Sequence, residues 1–214
     1  MKIEGIKQHQ DKKDRFTVTF EDGEEIKVSS AQIADFGIYS ERELSDEEYE
    51  ELREALALSS AKARALRILG NRRLSAKEIE KRLISKGEAD ETARRTLEWL
   101  DSIGMIDDKE YAESIAKHYS SKGYGMARIK DELYKRGIDR EMWEDALNCV
   151  DAMEESAVSF LEKKLRGSSD KDELRKAADA LCRRGFTYAQ ARTAVKTYLE
   201  TLDNIEEEEK GIEL

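Results

Sequence analysis

One short pattern recurs three times in this chain and limits its architecture more than any other feature. LISKG at 83–87, LYKRG at 133–137 and LCRRG at 181–185 share the form Leu-x-[Lys/Arg/Ser]-[Lys/Arg]-Gly, with their leucines 50 and 48 residues apart. A near-constant period of this size marks tandem structural units. Ile79, Ile129 and Ala177 each lie four positions before the leucine, on the same face of a helix. The glycine then ends that helix. It takes the left-handed conformation at C′ without a Cβ penalty, and the basic residues before it suit the negative helix end.

The residues around each copy extend the pattern into a three-helix unit. A capping residue follows each glycine, Asp90, Asp139 and Thr187 in turn, and opens a third helix. The expected buried stripes there are Ala93/Leu97/Leu100, Met142/Ala146/Val150 and Tyr188/Ala191/Val195/Tyr198/Leu202. A helix also precedes each copy. In the first unit it is the end of a long run capped by Ser45 with Glu48 in a capping box, and it turns Leu66 and Leu69 inward. In the second, Asp107 with Glu110 forms the box ahead of Tyr111, Ile115 and Tyr119; in the third, Ala157, Leu161 and Leu165 make the stripe.

The first thirty residues follow a different period. Phe16, Val18 and Phe20 alternate with Thr17 and Thr19, Asp22-Gly23 supplies a hairpin turn, and Ile26 and Val28 alternate again. Ile3 and Ile6 fit a third strand, and SSAQIADFGI reads as a short helix stopped by Gly37. The sequence thus predicts a mainly α chain: three tandem three-helix repeats in an elongated array with a small N-terminal hairpin or sheet. The expected divisions are a strand-rich extension over 1–44, repeats over 45–106, 107–151 and 152–202, and an acidic tail over 203–214 whose charges leave it solvated.

Charge is distributed unevenly along the chain. The formal net charge is −10, yet Lys62, Arg64, Arg67, Arg72, Arg73, Lys77, Lys81, Arg82 and Lys86 face only Glu78 and Glu80 within residues 61–87. The second repeat adds Lys122, Arg128, Lys130, Lys135 and Arg136 around Tyr124. Any one of these is an ordinary solvated helix residue. As a cluster opposing the sign of the whole chain they read as a face for a polyanion or an anionic partner. The surface expected from this is Arg64, Arg67, Arg72, Arg73, Lys77, Lys81, Lys122, Tyr124, Arg128 and Lys135. Reversing the charge of Arg72, Arg73 and Arg128 is expected to leave the fold intact.

The motifs of catalysis do not occur. The chain contains no Gly-x-x-x-x-Gly-Lys-[Ser/Thr] loop and no Gly-x-Ser-x-Gly elbow, and Gly123-Tyr124-Gly125 is followed by Arg128 where a dinucleotide fingerprint needs glycine. That segment reads as a tight interhelical turn. Cys149 and Cys182 form no CxxC and read as buried thiols, and Asp107-Asp108 reads as a helix cap, so no metal or cofactor is expected. No signal peptide or membrane span is legible, and a cytoplasmic, non-enzymatic monomer is expected.

ALRILGNRRLSAKEIEKRLISKG and GMIDDKEYAESIAKHYSSKGYGMARIKDELYKRGID resemble the two characteristic blocks of the RecX family. The N-terminal KIEGIKQHQDKKDRFTVTFEDGEEIKVS is similar to the strand-rich extension of some members. The resemblance implies a regulator of the RecA recombinase. Such a protein binds RecA and the RecA–DNA filament groove, most often as a negative regulator, and affects recombination, ATP hydrolysis and the coprotease function behind the SOS response in DNA repair. It has no cofactor, and contact with single- or double-stranded DNA is weak. From the residues alone two other classes stay open: a direct DNA-binding protein built of helix-turn-helix-like repeats, and a structural scaffold. Against direct base reading, REMWEDALNCV is acidic, and only ETARRTLEWL carries adjacent arginines.

Overall fold

The computed structural model describes residues 1–10, 14–70, 72–150 and 153–212, with side chains as far as Asn204. It is mostly helical, with ten α-helices and one three-stranded antiparallel sheet among the described residues. Two compact units divide the chain: Met1–Gly70 with Glu80–Trp99, and Asn71–Ile79 with Leu100–Leu214.

In the first unit, β1 (Ile3–Gln8), β2 (Phe16–Phe20) and β3 (Glu25–Val28) pair in sequence order. Ile6 lies opposite Val18, and Phe16 opposite Val28. The β2–β3 turn works as its sequence requires, because Gly23 takes a φ of 87° and the Phe20 N–H donates to the Glu24 carbonyl. Helix α1 (Ser30–Asp35) starts from a Ser29/Gln32 capping box, and α2 (Asp46–Leu69) from the Ser45/Glu48 box. A three-stranded sheet this small needs a partner, and finds it in the start of α2. Ile3, Val18, Phe20, Val28, Ile38, Leu44, Tyr49 and Leu52 form one core, with the Phe20 and Tyr49 rings edge to face at 5.3 Å.

Further along α2 the inward face is Ala61 and Ala65, not the expected Leu66 and Leu69. Leu66 follows Ala65 by one residue, a turn of about 100° around the axis, and is 41% exposed. Helices α3 (Ala76–Ser85) and α4 (Asp90–Ser102) follow. Asp90 is the first residue of α4 rather than its cap.

The second unit holds α5 (Asp108–Ser121), α6 (Met126–Lys135), a 3-10 turn (Arg140–Met142) with α7 (Trp143–Asn148), then α8 (Met153–Leu165), α9 (Lys171–Arg183) and α10 (Tyr188–Ile212). One core joins Ala112, Ile115, Ala116, Ile129, Leu133, Ile138 and Ala146; another joins Ala157, Leu161, Leu165, Ala177, Leu181, Phe186, Ala191, Ala194 and Tyr198. The repeat leucines Leu83, Leu133 and Leu181 are all fully buried, as are Ile79, Ile129 and Ala177 one turn before them. Gly87, Gly137 and Gly185 all have positive φ, which is the helix-ending conformation the pattern requires.

Several local expectations are corrected. Asp107 caps α5 through the Glu110 N–H, but the Glu110 carboxylate pairs with Arg73 instead of closing the box. Asp139 makes no side-chain cap, and the helix it opens is a 3-10 turn before α7; Thr187 forms a full box with Gln190. Tyr188 is 74% exposed because it is the first residue of α10, whose inward stripe starts at Ala191. Helix α10 runs on to Ile212 through the stretch expected to be acidic and solvated, which its helical backbone does not contradict. Cys149 and Cys182 are free and half-buried rather than buried.

Candidate partner-binding surface

The ten expected surface residues fall in both units. Arg64, Arg67 and Lys81 belong to the first. Arg64 Nε lies 2.8 Å from Glu88 Oε1, Arg67 Nε donates to its own helix at the Ala63 carbonyl, and Arg67 and Lys81 are exposed. Beside them the Lys62 ammonium sits 4.9 Å from the Trp99 ring centroid, so two of the cations in this stretch are held against neighbours.

The other seven belong to the second unit. Arg72, Arg73 and Lys77 are exposed at the start of α3. This segment is anchored on the second repeat: the Ala76 N–H donates to Asp108 Oδ1 at 2.9 Å, Ser75 Oγ donates to the Arg136 carbonyl, and Arg73 Nη1 lies 2.7 Å from Glu110 Oε1. Burial raises the Asp108 pKa, with the Ala76 N–H opposing.

Arg128 and Lys135 are not free cations. Glu132, buried in the middle of α6, lies 3.0 Å from Arg128 Nη2, 3.3 Å from Lys135 Nζ and 2.5 Å from Arg136 Nη1. Burial alone would raise the Glu132 carboxyl, yet hydrogen bonds from Arg136, Tyr119 and Lys135 hold it down to about 2. One carboxylate thus gathers three cations at i−4, i+3 and i+4 on one helix. Charge reversal at Arg128 would set a second carboxylate against it, which overturns the expectation that this position tolerates reversal.

Lys122 is exposed just past α5, and Tyr124 is half-buried. The Tyr124 ring has the Arg184 guanidinium at 4.8 Å, the Arg128 guanidinium at 5.9 Å and the Tyr119 ring at 5.5 Å. Tyr124 is therefore part of a cation–aromatic stack, and Arg184, which sequence reading passed over, is its centre.

The turn that carries Tyr124 also joins two repeats. The Gly125 N–H donates to the Arg184 carbonyl at 2.9 Å and the Ala127 N–H to the Gly185 carbonyl at 3.2 Å. A Cβ on Gly125 would lie 2.3 Å from the Gly185 backbone. Ser75 to Lys77 meet Arg136 and Gly137 in the same way, since a Cβ on Gly137 would lie 2.7 Å from the Lys77 side chain. The start of one second helix therefore rests on the glycine end of the next, twice in succession.

Family models for the first and second three-helix domains of RecX match residues 61–100 and 107–147. The regulatory protein RecX of Xanthomonas axonopodis pv. citri (strain 306) is 32% identical over 140 residues, 64% of this chain and 86% of that protein. The chain belongs to the RecX family. The RecX of Stenotrophomonas maltophilia (strain R551-3) is likewise 32% identical, over 62% of this chain and 83% of that one. The crystal structure of a regulatory protein RecX shares the fold, with a TM-score of 0.71 at 21% identity over 90% of this chain and 98% of that one. The RecX of Lactobacillus salivarius aligns with a TM-score of 0.62 at 27% identity, over 67% of this chain and 97% of the other.

RecX is a family of regulatory proteins, and this chain takes that regulatory role with it. Among the described residues no helix is long and apolar enough to cross a membrane, and no group of three or more His, Cys, Asp or Glu side chains is placed to hold a metal ion.

Proposed function

We propose that this RecX-family chain regulates the RecA recombinase by binding the RecA–DNA filament in its groove, as a negative regulator of strand exchange, ATP hydrolysis and SOS coprotease function. It acts as a cytoplasmic monomer and performs no catalysis of its own. The observation that carries the reading is electrostatic. A chain of net charge −10 keeps Arg67, Arg72, Lys77 and Lys81 exposed in one short stretch of a RecX domain. A filament on DNA is a polyanion wrapped in protein, and a ligand lying in its groove gains from exposed basic residues whatever its total charge.

Direct base readout is the weaker alternative. The third helix of the second repeat is short and acidic, with Glu144 and Asp145 in its first turn, where a recognition helix needs Arg, Asn or Gln. Binding of the full chain to single-stranded DNA, to RecA and to the assembled filament separates the two readings. Preference for the filament supports regulation of RecA, and equal affinity for naked DNA would contradict it.

A further inference from the structure

We infer that the cleft between the end of α5 and α8 is a binding site for the phosphodiester backbone of single-stranded nucleic acid. The inference deepens the filament reading by naming where the chain touches DNA, and it rests on that reading only for its biological setting.

The cleft has a volume of about 600 Å³, within the range of sites that take small ligands or pieces of larger ones. Lys117, Lys122, Lys163 and Arg184 line it, against the carboxylate of Glu155 among the described residues. Lys117 leans toward Glu113 at 3.5 Å, a long pair between an exposed ammonium and a half-buried carboxylate. Lys122 and Lys163 are exposed and form no ion pair among the described residues.

A helix C-terminus is ordinarily a poor neighbour for an anion, because its last carbonyls carry partial negative charge. Here those carbonyls are occupied. Arg184 Nη1 donates to the Lys122 and Gly123 carbonyls at 2.8 and 3.3 Å, and Ser156 Oγ donates to the Ser120 carbonyl at 2.5 Å. The Tyr124 N–H takes the Tyr119 carbonyl. The negative end of α5 is thus neutralised from the protein side, which leaves the exposed Lys122 and Lys163 ammonium groups as the dominant charge at this end of the cleft. Arg184 is itself fixed, its guanidinium 4.4 Å from the Phe160 ring centroid and 4.8 Å from that of Tyr124.

The form of the site selects the ligand. A nucleoside triphosphate is usually cradled by backbone N–H groups at a helix N-terminus, whereas this cleft opens at a helix C-terminus and offers flexible ammonium groups. Separate point charges on long stems suit successive phosphates of a strand, held through counterion release.

The test uses the full chain and an oligo(dT) strand, with affinity read by fluorescence anisotropy across a salt series. The expected result is that Lys122→Gln with Lys163→Gln weakens binding about tenfold and lowers the salt slope by about 1.4, the release expected from two lost phosphate contacts on a single strand. Lys171→Gln with Lys176→Gln removes equal charge from α9, away from the cleft, and should change little. Cys149 lines the cleft and Cys182 does not. Oligo(dT) should therefore slow alkylation of Cys149 and spare Cys182, read peptide by peptide by mass spectrometry.

Equal loss in the two double variants would overturn the inference, as would protection of Cys149 by ATP but not by oligo(dT). A parent that binds oligo(dT) through these lysines yet leaves RecA strand exchange untouched would remove the RecA reading and keep the cleft. A parent that inhibits RecA while the Lys122/Lys163 variant matches it on oligo(dT) would do the reverse.

Discussion

Gly125→Ala tests the junction between the second and third repeats. The added Cβ would sit 2.3 Å from the Gly185 carbonyl carbon and oxygen and 2.4 Å from the Phe186 nitrogen, all backbone atoms with no flexible end to swing aside. Ordinary contact begins near 3.4 Å, so the two segments must part by about 1 Å. That movement breaks the bonds from the Gly125 N–H to Arg184 and from the Ala127 N–H to Gly185. Two such bonds contribute about 1 kcal/mol each, and overpacking costs about 1–3 kcal/mol. Alanine returns about 0.4–1 kcal/mol by restricting the unfolded chain, because Gly125 has an ordinary negative φ of −82°. The net expectation is a loss of about 2–5 kcal/mol. Urea unfolding followed on Trp143 fluorescence in a Trp99→Phe background reads the second unit. Gly5→Ala, with nothing within 4 Å of the new Cβ, is the control and should shift stability by about 0.5 kcal/mol or less. Equal midpoints for the two variants would refute the close contact.

Further expectations follow from the same packing and charge. Leu133→Ala, at a fully buried repeat position, should cost about 2–5 kcal/mol in the same assay. The Glu132 carboxyl is lowered from 4.5 to about 2 in the native state, so its stabilisation is full above the unfolded value and is lost as pH falls toward 2. Glu132→Gln should therefore be less stable at neutral pH and show a flatter acid-unfolding curve below pH 4.5, and parallel curves would contradict the ion cluster. Deleting Glu206–Glu209 should tighten filament binding at low salt, with the difference fading as salt screens it beyond about 8 Å; no change at any ionic strength would remove that role.

The repeat was legible because a five-residue pattern records a helix face, a helix end and a cap together. Burial of Leu83, Leu133 and Leu181 follows from that pattern, as does the positive φ of the three glycines. The phase of a helix was harder to read. Leu66 outranks Ala65 in hydrophobicity, yet the small residue faces inward because it permits close packing. Gly125 could be read as a turn residue, but the backbone it touches lies some sixty positions away, and no local signal records that contact. The spacing Arg128, Glu132, Lys135, Arg136 was visible as possible helix pairs. What was not visible is that Tyr119 from α5 helps enclose the carboxylate, so that two expected surface cations are paired with a buried carboxylate. The binding surface was legible only as charge, since pairing of Arg64 with Glu88 and of Arg73 with Glu110 depends on tertiary contact.

The regulatory account is tested most directly by the affinity of the full chain for RecA–single-stranded-DNA filaments, measured beside Arg67→Glu/Arg72→Glu/Lys81→Glu. These three positions are exposed and outside the Glu132 cluster, so the melting curve should hold. The account predicts that the parent binds the filament more tightly than RecA or DNA alone, and that the variant loses most of that affinity and of its salt dependence. A folded variant that binds the filament as the parent does would contradict it.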